Sequence, residues 1–505
     1  MSPLPYPGEA GTNATRSSLG DLALHYALMT PSYPLTQSSR RALVERAKDV
    51  AGIPRAFRPE PLVAQEMAQF YSDSLDRQRA NFLLRRIKDD LLESADQGFF
   101  FQGVLYGNRG TGKSTEINRL LDEAAIKAKF VVIRLDALTE LNPQTFSVAD
   151  ILLLLLTNLI ERCVDKCGEL GRAFHEAGIM TADLQQIFAP FFPDLQSKEQ
   201  ITKTTGGSGE LAILGTVKLG IRVEGQRNTD SVSARTTLAE LSAVVERQIS
   251  IARERLPEYE LLVIGENFDK EQIPQSLLQD TFVQYASVLR DLRLHLLFTL
   301  PVPFVYSFGE QLSLRRENRY PVYDVPVCSQ DHSRDDAGCQ ALIELMQKRA
   351  DLDGVFANDA QELLLRASGG DLYRLFAIVV NSGRLARYRY EDDPSSERRV
   401  LRTDVETAVR EQLGIFRNEL GTTPNDPDDV PWDAKLQKLR DIYEGQPAAN
   451  VPDKALYQLL RRRAVLFFNG KGRYGVHPMA VEILREQLVS DPRFKYRGGG
   501  LDLAP

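Results

Sequence analysis

The sequence contains few of the residues that build metal sites and disulfide frameworks. Only four cysteines and five histidines occur in 505 residues. Cys163, Cys167, Cys328 and Cys339 form no C-x-x-C pair, which argues against a zinc site. So few cysteines in so long a chain also indicate a reducing compartment, and we predict a cytoplasmic protein.

A hydrophobic run long enough to cross a membrane is also missing. The most apolar stretch, residues 151–160, is about half the length that a membrane-spanning helix needs, so it predicts a buried helix. Residues 1–18 lack the positive start and apolar core of a signal peptide. The sequence therefore predicts no membrane partner.

Positive charge is not in excess, because the net charge is -7. Such a balance does not indicate a chain that coats nucleic acid. The C-terminal part differs, since residues 451–505 carry ten Lys/Arg against five Asp/Glu. That local excess leaves contact with duplex DNA open for this part of the chain.

Glycine is concentrated in one stretch that fits the G-x-x-x-x-G-K-[ST] phosphate loop. A β-prone segment, residues 99–106, precedes it, and helical spacing of apolar residues follows over residues 113–127. Backbone N–H groups of such a loop hold phosphate oxygens at the start of a helix. We therefore predict ATP or ADP as the ligand, with Lys113 on the β/γ-phosphates and Ser114 on Mg²⁺. The predicted nucleotide-binding residues of the loop are Gly107, Asn108, Arg109, Gly110, Thr111, Gly112, Lys113, Ser114 and Thr115.

The order of strands and helices after the loop predicts an α/β fold with a parallel sheet. Residues 204–229 interrupt this order, and Val217, Leu219, Ile221 and Val223 alternate with polar residues or glycine, which predicts a β-hairpin insertion. A helical region follows the sheet, and helix, helix, hairpin, helix then predicts a winged helix-turn-helix. The predicted parts are a weakly structured extension (1–60), the P-loop domain (61–330), a helical lid (331–420), a linker (421–433), the winged helix (434–490) and a loose tail (491–505).

Residues 261–270 resemble the Walker B segment of AAA+ and related STAND-type ATPases, with four apolar residues before a polar turn. In one alignment, Glu266 takes the place of the metal-side aspartate and Asn267 that of the catalytic acid. A shift by one residue instead makes Glu266 the catalytic acid and leaves Gly265 at the metal position. Both alignments imply slow ATP hydrolysis, because either the acid or the metal ligand is missing.

The resemblance implies further site residues. Thr299 matches the polar sensor at the end of a neighbouring strand. Among Arg315, Arg316 and Arg319, we take Arg316 as the arginine that would reach a neighbouring subunit's nucleotide, which implies a homo-oligomer. Arg374 matches a second sensor arginine in the lid, with Tyr373 at the alternative position. The predicted catalytic set is therefore Lys113, Glu266, Asn267, Thr299, Arg316 and Arg374.

His477 follows the predicted hairpin, where STAND-type switches carry a histidine that binds the β-phosphate of ADP. The resemblance therefore implies that His477 belongs to the nucleotide site. The same order of domains is similar to that of bacterial P-loop ATPases found near defence genes and mobile elements.

Three functions remain open. The first is an ATP-dependent oligomeric switch in bacterial anti-phage defence, with an effector or sensor on a partner chain. The second is a DNA-binding AAA+ regulator or loader, with Arg461, Arg462 and Arg463 on the duplex backbone, together with Lys471 and Arg473. The third is a nucleotide-dependent scaffold that does not hydrolyse ATP.

Overall fold

The computed structural model describes most of the chain. The described residues are 44–79, 82–164, 217–218, 221–222, 232–312, 318–329, 331–421, 429–469, 474–501 and 503.

The core is a five-stranded sheet in the order β2-β3-β4-β1-β5, in which each paired strand runs parallel to its neighbour. Its strands are β1 (Gln102–Tyr106), β2 (Phe130–Asp136), β3 (Glu260–Glu266), β4 (His295–Leu300) and β5 (Arg319–Pro321). The central strands are continuously apolar because helices cover both faces of the sheet. The predicted α/β fold with a parallel P-loop core is confirmed.

Helices precede and connect the strands of this sheet. They are α1 (Ile53–Ala56), α2 (Ala64–Phe70), α3 (Asp73–Arg79), α4 (Leu83–Asp96), α5 (Lys113–Asp122), α6 (Ala124–Lys129), α7 (Val148–Val164), α8 (Val232–Arg255), α9 (Gln275–Gln279), α10 (Ala286–Arg290) and α11 (Val302–Phe308). Residues 151–160, in α7, are all buried, as the sequence predicted. Within the described part of the chain, no helix is long and apolar enough to cross a membrane.

The predicted β-hairpin insertion lies largely outside the described residues. The four positions that are described, Val217, Lys218, Ile221 and Arg222, are helical, so the strand prediction is wrong there. Val217 and Ile221 are four residues apart and both are buried. In a helix this spacing places them on one face, which explains how the same apolar residues fit a helix as well as a strand.

Two further groups of elements follow the sheet. The helices of the predicted lid, called the lid below, are α12 (Asp336–Arg349), α13 (Leu352–Val355), α14 (Asn358–Ser368), α15 (Leu372–Asp392) and α16 (Arg402–Leu420). The C-terminal module, residues 429–501, contains α17 (Trp432–Tyr443), α18 (Lys454–Arg461), the antiparallel pair β6 (Val465–Phe467) and β7 (Tyr474–Val476), and α19 (Pro478–Gln487). Its assignment as a winged helix stays a prediction.

Both ends of the described chain are more ordered than the sequence suggested. In the predicted extension, Ile53 and Phe57 are completely buried. In the predicted tail, the Tyr443 hydroxyl donates to the Gly498 carbonyl at 2.8 Å. Leu501 is 1% exposed, so this segment packs against the module. Local composition predicted loose ends because it carries no information on these distant contacts.

Candidate functional site

The predicted phosphate loop lies between the end of β1 and the first turn of α5. Gly112 is the N-cap of α5 with φ 95°, and Gly110 has φ 84°. These left-handed backbone angles favour glycine. A Cβ atom at Gly110 would lie 2.6 Å from the Tyr373 Cβ, and one at Gly107 would lie 2.4 Å from the Val322 carbonyl oxygen. The glycines therefore serve both the turn and the close approach of neighbouring backbone.

Lys113 extends back along this loop. Its Nζ donates to the carbonyl oxygens of Gly107 at 2.9 Å and Asn108 at 2.8 Å. The same atom lies 2.8 Å from Asp269 Oδ2, and both side chains are buried. The loop thus holds one ammonium group at the carboxyl end of the sheet, where a phosphate would meet it.

Asp269, which the sequence analysis did not assign to the site, is the acid beside Lys113. Burial opposes ionisation of this carboxyl, but the nearby Lys113 and Lys270 ammonium groups outweigh it and lower its pKa. The sequence did contain a signal for Asp269. This acid follows β3 closely, and one apolar residue, Phe268, separates it from Glu266 and Asn267.

Glu266 and Asn267 are placed differently. Glu266 forms an ion pair with Arg134 on β2; burial raises the pKa of Glu266, against the opposing effect of Arg134. Asn267 has φ 63°, a left-handed conformation that asparagine tolerates better than most residues. At Gly265, a Cβ atom would lie 2.1 Å from the Phe298 ring, so packing requires glycine there. Both predicted roles for Glu266 stay predictions, and in this structure its carboxylate is paired with Arg134.

Thr299, the predicted sensor, lies near the C-terminal end of β4. Its hydroxyl donates to the Gly265 carbonyl oxygen at 3.3 Å, and the residue is 1% exposed. This contact links the ends of β3 and β4 beside the loop. Thr299 therefore has a structural partner in addition to its predicted role.

The residues present fit Mg²⁺ by donor type, because this ion prefers oxygen ligands and usually keeps several waters. The Ser114 hydroxyl stands in the first turn of α5, and the Asp269 carboxylate, which is paired with Lys113, lies in the turn after β3. These two side chains would hold the ion. Across the described ranges, no group of three or more His, Cys, Asp or Glu side chains could enclose a metal by itself.

Arg79 is a second residue that the sequence analysis missed. It is 2% exposed and ends α3. Its guanidinium donates to the Thr111 carbonyl at 2.5 Å and the Tyr323 carbonyl at 3.0 Å, and it pairs with Glu116 at 3.3 Å. No local motif marks Arg79, because its side-chain partners come from two distant parts of the chain, residues 111–116 and Tyr323.

A cavity of about 430 Å³ opens beside the loop. Its lining includes Phe57 and Pro59 from the N-terminal segment and Tyr373, Ala377 and Val380 from α15. Tyr373 is also the residue that approaches Gly110, so the cavity and the phosphate loop share a wall.

The same N-terminal segment contacts the start of α5. The Leu62 N–H donates to the Thr115 hydroxyl at 3.3 Å. Asn118 donates to the Leu62 carbonyl at 2.8 Å. The cavity therefore lies between two segments that are each fixed to the loop or to the helix that follows it.

Arg374, the predicted lid sensor, is buried at the start of α15. Its guanidinium lies 4.3 Å from the centre of the Phe416 ring and 3.3 Å from Glu419 on α16. The alternative position, Tyr373, lies against the loop, with the Arg109 guanidinium 5.3 Å from its ring centre. The second-sensor role stays a prediction, and of the two candidate side chains Tyr373 is the one that lies against the loop.

His477 is the N-cap of α19 and is completely buried. The Met479 N–H donates to its Nδ1 at 3.1 Å, so Nε2 carries the proton and donates to the Ser368 carbonyl at 3.0 Å. Burial lowers its pKa well below the usual value. Both ring nitrogens are engaged, so binding of the predicted β-phosphate would require one of these hydrogen bonds to break.

The C-terminal module contacts the phosphate loop directly. The Asn108 Nδ2 donates to Asp324 Oδ2 at 2.6 Å, and the Phe467 N–H of β6 donates to the same oxygen at 2.8 Å. Burial raises the pKa of Asp324 to about 7, against the opposing effect of these donors. Asn469 also donates to the Arg79 carbonyl at 2.7 Å. One buried carboxyl thus joins the loop to the hairpin strand.

The arginine run that was predicted to bind DNA is engaged within the chain. Arg461 donates to the Glu271 carbonyl at 2.7 Å, and Arg463 donates to Asp371 Oδ2 at 2.7 Å. The Arg462 guanidinium lies 3.7 Å from the Glu271 carboxylate. Predictions for Arg315, Arg316, Lys471 and Arg473 lie outside the described residues. Arg319, which is described, donates to the Gly309 carbonyl from β5.

No protein-family model and no curated protein matches the chain. Among solved structures, a Walker-type ATPase of Pyrococcus abyssi is 15% identical, with a TM-score of 0.38 over 85% of this chain and 99% of that chain. The Orc1 protein of Aeropyrum pernix, solved in complex with DNA, is 15% identical, with a TM-score of 0.37 over 85% and 95%. Cdc6p of Pyrobaculum aerophilum is 11% identical, with a TM-score of 0.36 over 86% and 98%. Similarity at this level does not by itself assign an activity or a partner to this chain.

Proposed function

We propose that the protein is an ATP-binding switch in which the lid and the C-terminal module respond to the nucleotide. The observation that carries this proposal is the double contact on the phosphate loop. Tyr373 of α15 packs against Gly110, and Asn108 shares the Asp324 carboxyl with β6. A phosphate bound in this loop cannot change the loop without affecting both contacts.

The cavity beside the loop is the proposed place for the base and ribose. Its volume of about 430 Å³ suits a nucleoside. Its walls are apolar and aromatic around Phe57, Phe376 and Val380. The polar and charged lining residues are Asn381, Arg384, Glu411 and Gln412. A base would therefore stack on apolar side chains while the phosphates reach Lys113.

Hydrolysis in this proposal is slow. Lys113, Ser114 and Asp269 would bind the phosphates and Mg²⁺, but an efficient ATPase also needs a group that orients the attacking water. Asn267 cannot act as a base, and Glu266 is paired with Arg134. If the rate of hydrolysis is zero, the same proposal describes a nucleotide-dependent scaffold.

The site experiment fills the cavity while leaving the loop intact. Ala377→Trp should lower ATP affinity at least tenfold and leave the affinity for inorganic tripolyphosphate unchanged, both measured by calorimetry. Tyr388→Trp is the matched control, because Tyr388 lies on the same helix, is 45% exposed and does not line the cavity. Equal ATP affinity in Ala377→Trp and wild type would place the base elsewhere, and loss of tripolyphosphate binding would indicate a damaged loop.

Assembly and partners form the finer part of the proposal. A homo-oligomer would allow an arginine such as Arg316 to act on a neighbouring subunit, and an effector or sensor on another chain would carry the output in bacterial defence. Mass measurement with ADP and with a non-hydrolysable ATP analogue tests the first point. A monomer of the same mass in both states would contradict it.

DNA handling is the second candidate, and the excess of Lys/Arg over residues 451–505 favours it. Arg461, Arg462 and Arg463 contact Glu271 and Asp371, so a duplex would have to displace these contacts. Phosphate release should rise with duplex DNA, and Arg461→Ala/Arg462→Ala should abolish the rise. No change on adding duplex at low salt would exclude this candidate.

A further inference from the structure

The lid and the C-terminal module together place an excess of buried positive charge beside the phosphate loop. Asp371, 2% exposed, lies at the start of α15. Its Oδ2 accepts from Arg463 Nη1 at 2.7 Å and lies 3.8 Å from Arg374 Nε. Both arginines are more than nine-tenths buried, and their only other acidic partner with a described ion pair is Glu419, which pairs with Arg374.

This cluster is adjacent to the loop. Asp371 Oδ1 would lie 3.2 Å from a Cβ atom at Gly110, so the carboxylate separates Gly110 from Arg463. Arg109 and Arg463 also both lie over the Tyr373 ring, at 5.3 Å and 4.8 Å from its centre. Three guanidinium groups therefore lie around Asp371 and Glu419, and Arg463 is also attracted by the Glu271 carboxylate, which lies beside Arg462.

This cluster has two unusual features, one at a side-chain nitrogen and one in the backbone. Arg374 Nε is buried without a hydrogen-bond partner in the described part of the chain. Arg463 has φ 57°, a left-handed backbone that is uncommon for a bulky side chain and persists only where surrounding contacts hold it. Surplus positive charge and an unused donor make the cluster suited to one more anionic group.

We propose that Arg463 reads the third phosphate of ATP. In this arrangement the Arg463 guanidinium is held by Asp371, and a γ-phosphate at the loop competes with Asp371 for it. Because Arg463 belongs to the C-terminal module, its transfer from Asp371 to the phosphate changes the position of the module. ADP has no such phosphate and leaves Arg463 on Asp371. The inference rests on the proposed function, and it assigns the discrimination of ATP from ADP to Arg463 in addition to the predicted Arg374 and His477.

Two substitutions with opposite expected signs test this assignment. Arg463→Ala should weaken binding of a non-hydrolysable ATP analogue about tenfold or more and leave ADP affinity within about twofold, since charged hydrogen bonds to a phosphate would be lost. Asp371→Asn should tighten binding of the ATP analogue, because it releases Arg463 while its side-chain oxygen still accepts from the Tyr373 and Arg374 N–H groups that Asp371 caps. A purely structural role would lower affinity in both variants.

Arg493→Ala is the matched control, because this arginine belongs to the same module and its side chain is 80% exposed. Its affinities for both nucleotides should equal those of wild type. Melting curves confirm that each variant is folded, and Arg463→Lys should recover part of the preference for ATP. Equal loss of ATP and ADP affinity in Arg463→Ala would overturn the inference. Failure of wild type to bind either nucleotide would instead overturn the proposed function.

Discussion

Two buried ion pairs flank the phosphate loop, and they differ in what they join. Lys113 and Asp269 both belong to the parallel-sheet core, at the start of α5 and in the turn after β3. Arg463 and Asp371 come from different parts of the chain, the C-terminal module and the lid. The first pair is held by a rigid sheet, whereas the second can separate when the module moves. We infer that the first pair serves nucleotide binding, and that the second pair couples the bound nucleotide to the position of the C-terminal module.

The largest expected effect is on the core pair. Lys113→Ala should lower ATP affinity about 10- to 100-fold, because charged hydrogen bonds to the phosphates are lost. It should also lower the free energy of unfolding by about 3–5 kcal/mol, since Asp269 stays buried without its partner. Calorimetry and denaturant unfolding measure the two effects separately.

A double variant separates binding from stability at the same pair. Lys113→Ala/Asp269→Asn removes both buried charges, so it should recover much of the lost stability without recovering ATP affinity. Recovery of ATP binding in the double variant would show that Lys113 is a structural partner of Asp269 and not a phosphate ligand.

The next effect concerns the Asp324 carboxyl, on the side of the module. Its pKa of about 7 in the folded protein lies above the ordinary value of 3.8. Between these pH values the folded protein holds a proton that the unfolded chain has released, so stability falls as the pH rises through this window.

Asp324→Asn cannot titrate and keeps an oxygen that accepts from Asn108 and Phe467. We expect this variant to flatten the pH dependence of the free energy of unfolding between pH 5 and 8. At pH 8 its free energy of unfolding should exceed that of wild type by about 1–4 kcal/mol, since one pKa unit corresponds to about 1.4 kcal/mol. Unfolding curves across this range test the prediction. An unchanged slope would mean that Asp324 is ionised in the folded protein at every pH tested.

The smallest expected effect is at Thr299, within the rigid core. Thr299→Val removes one hydrogen bond of 3.3 Å to Gly265 and keeps the side-chain volume. Stability should fall by about 1 kcal/mol, the usual value for one neutral hydrogen bond. ATP affinity should stay within about twofold of wild type. If ATP affinity falls by more than the loss of stability, Thr299 acts on the nucleotide and not only in the packing of the core.

The same contrast explains what the sequence could predict. The phosphate loop is a local motif, and its glycines, Lys113 and Ser114 could be identified from eight consecutive residues. The sequence analysis gave Glu266 and Asn267 metal and catalytic roles and did not include Asp269, which is the carboxylate that the structure brings to Lys113. The residues between β3 and Asp269 form a turn with a left-handed Asn267, and its path determines which carboxylate faces the loop.

The contacts between domains could not be predicted. Arg461, Arg462 and Arg463 had the composition of a nucleic-acid patch, and only their docking on Glu271 and Asp371 reveals another use. Arg79 had no recognisable pattern at all. Local sequence predicts elements and motifs, but the partner of a buried charge depends on residues far away in the chain.

The central claim is that the C-terminal module responds to ATP and not to ADP. Hydrogen exchange of the amides in β6 and α19 measures this most directly, with wild-type protein in ADP and in a non-hydrolysable ATP analogue. We expect faster exchange with the analogue, because Arg463 leaves Asp371 and the module loosens. Equal exchange in the two nucleotides, both bound at saturation, would contradict the account.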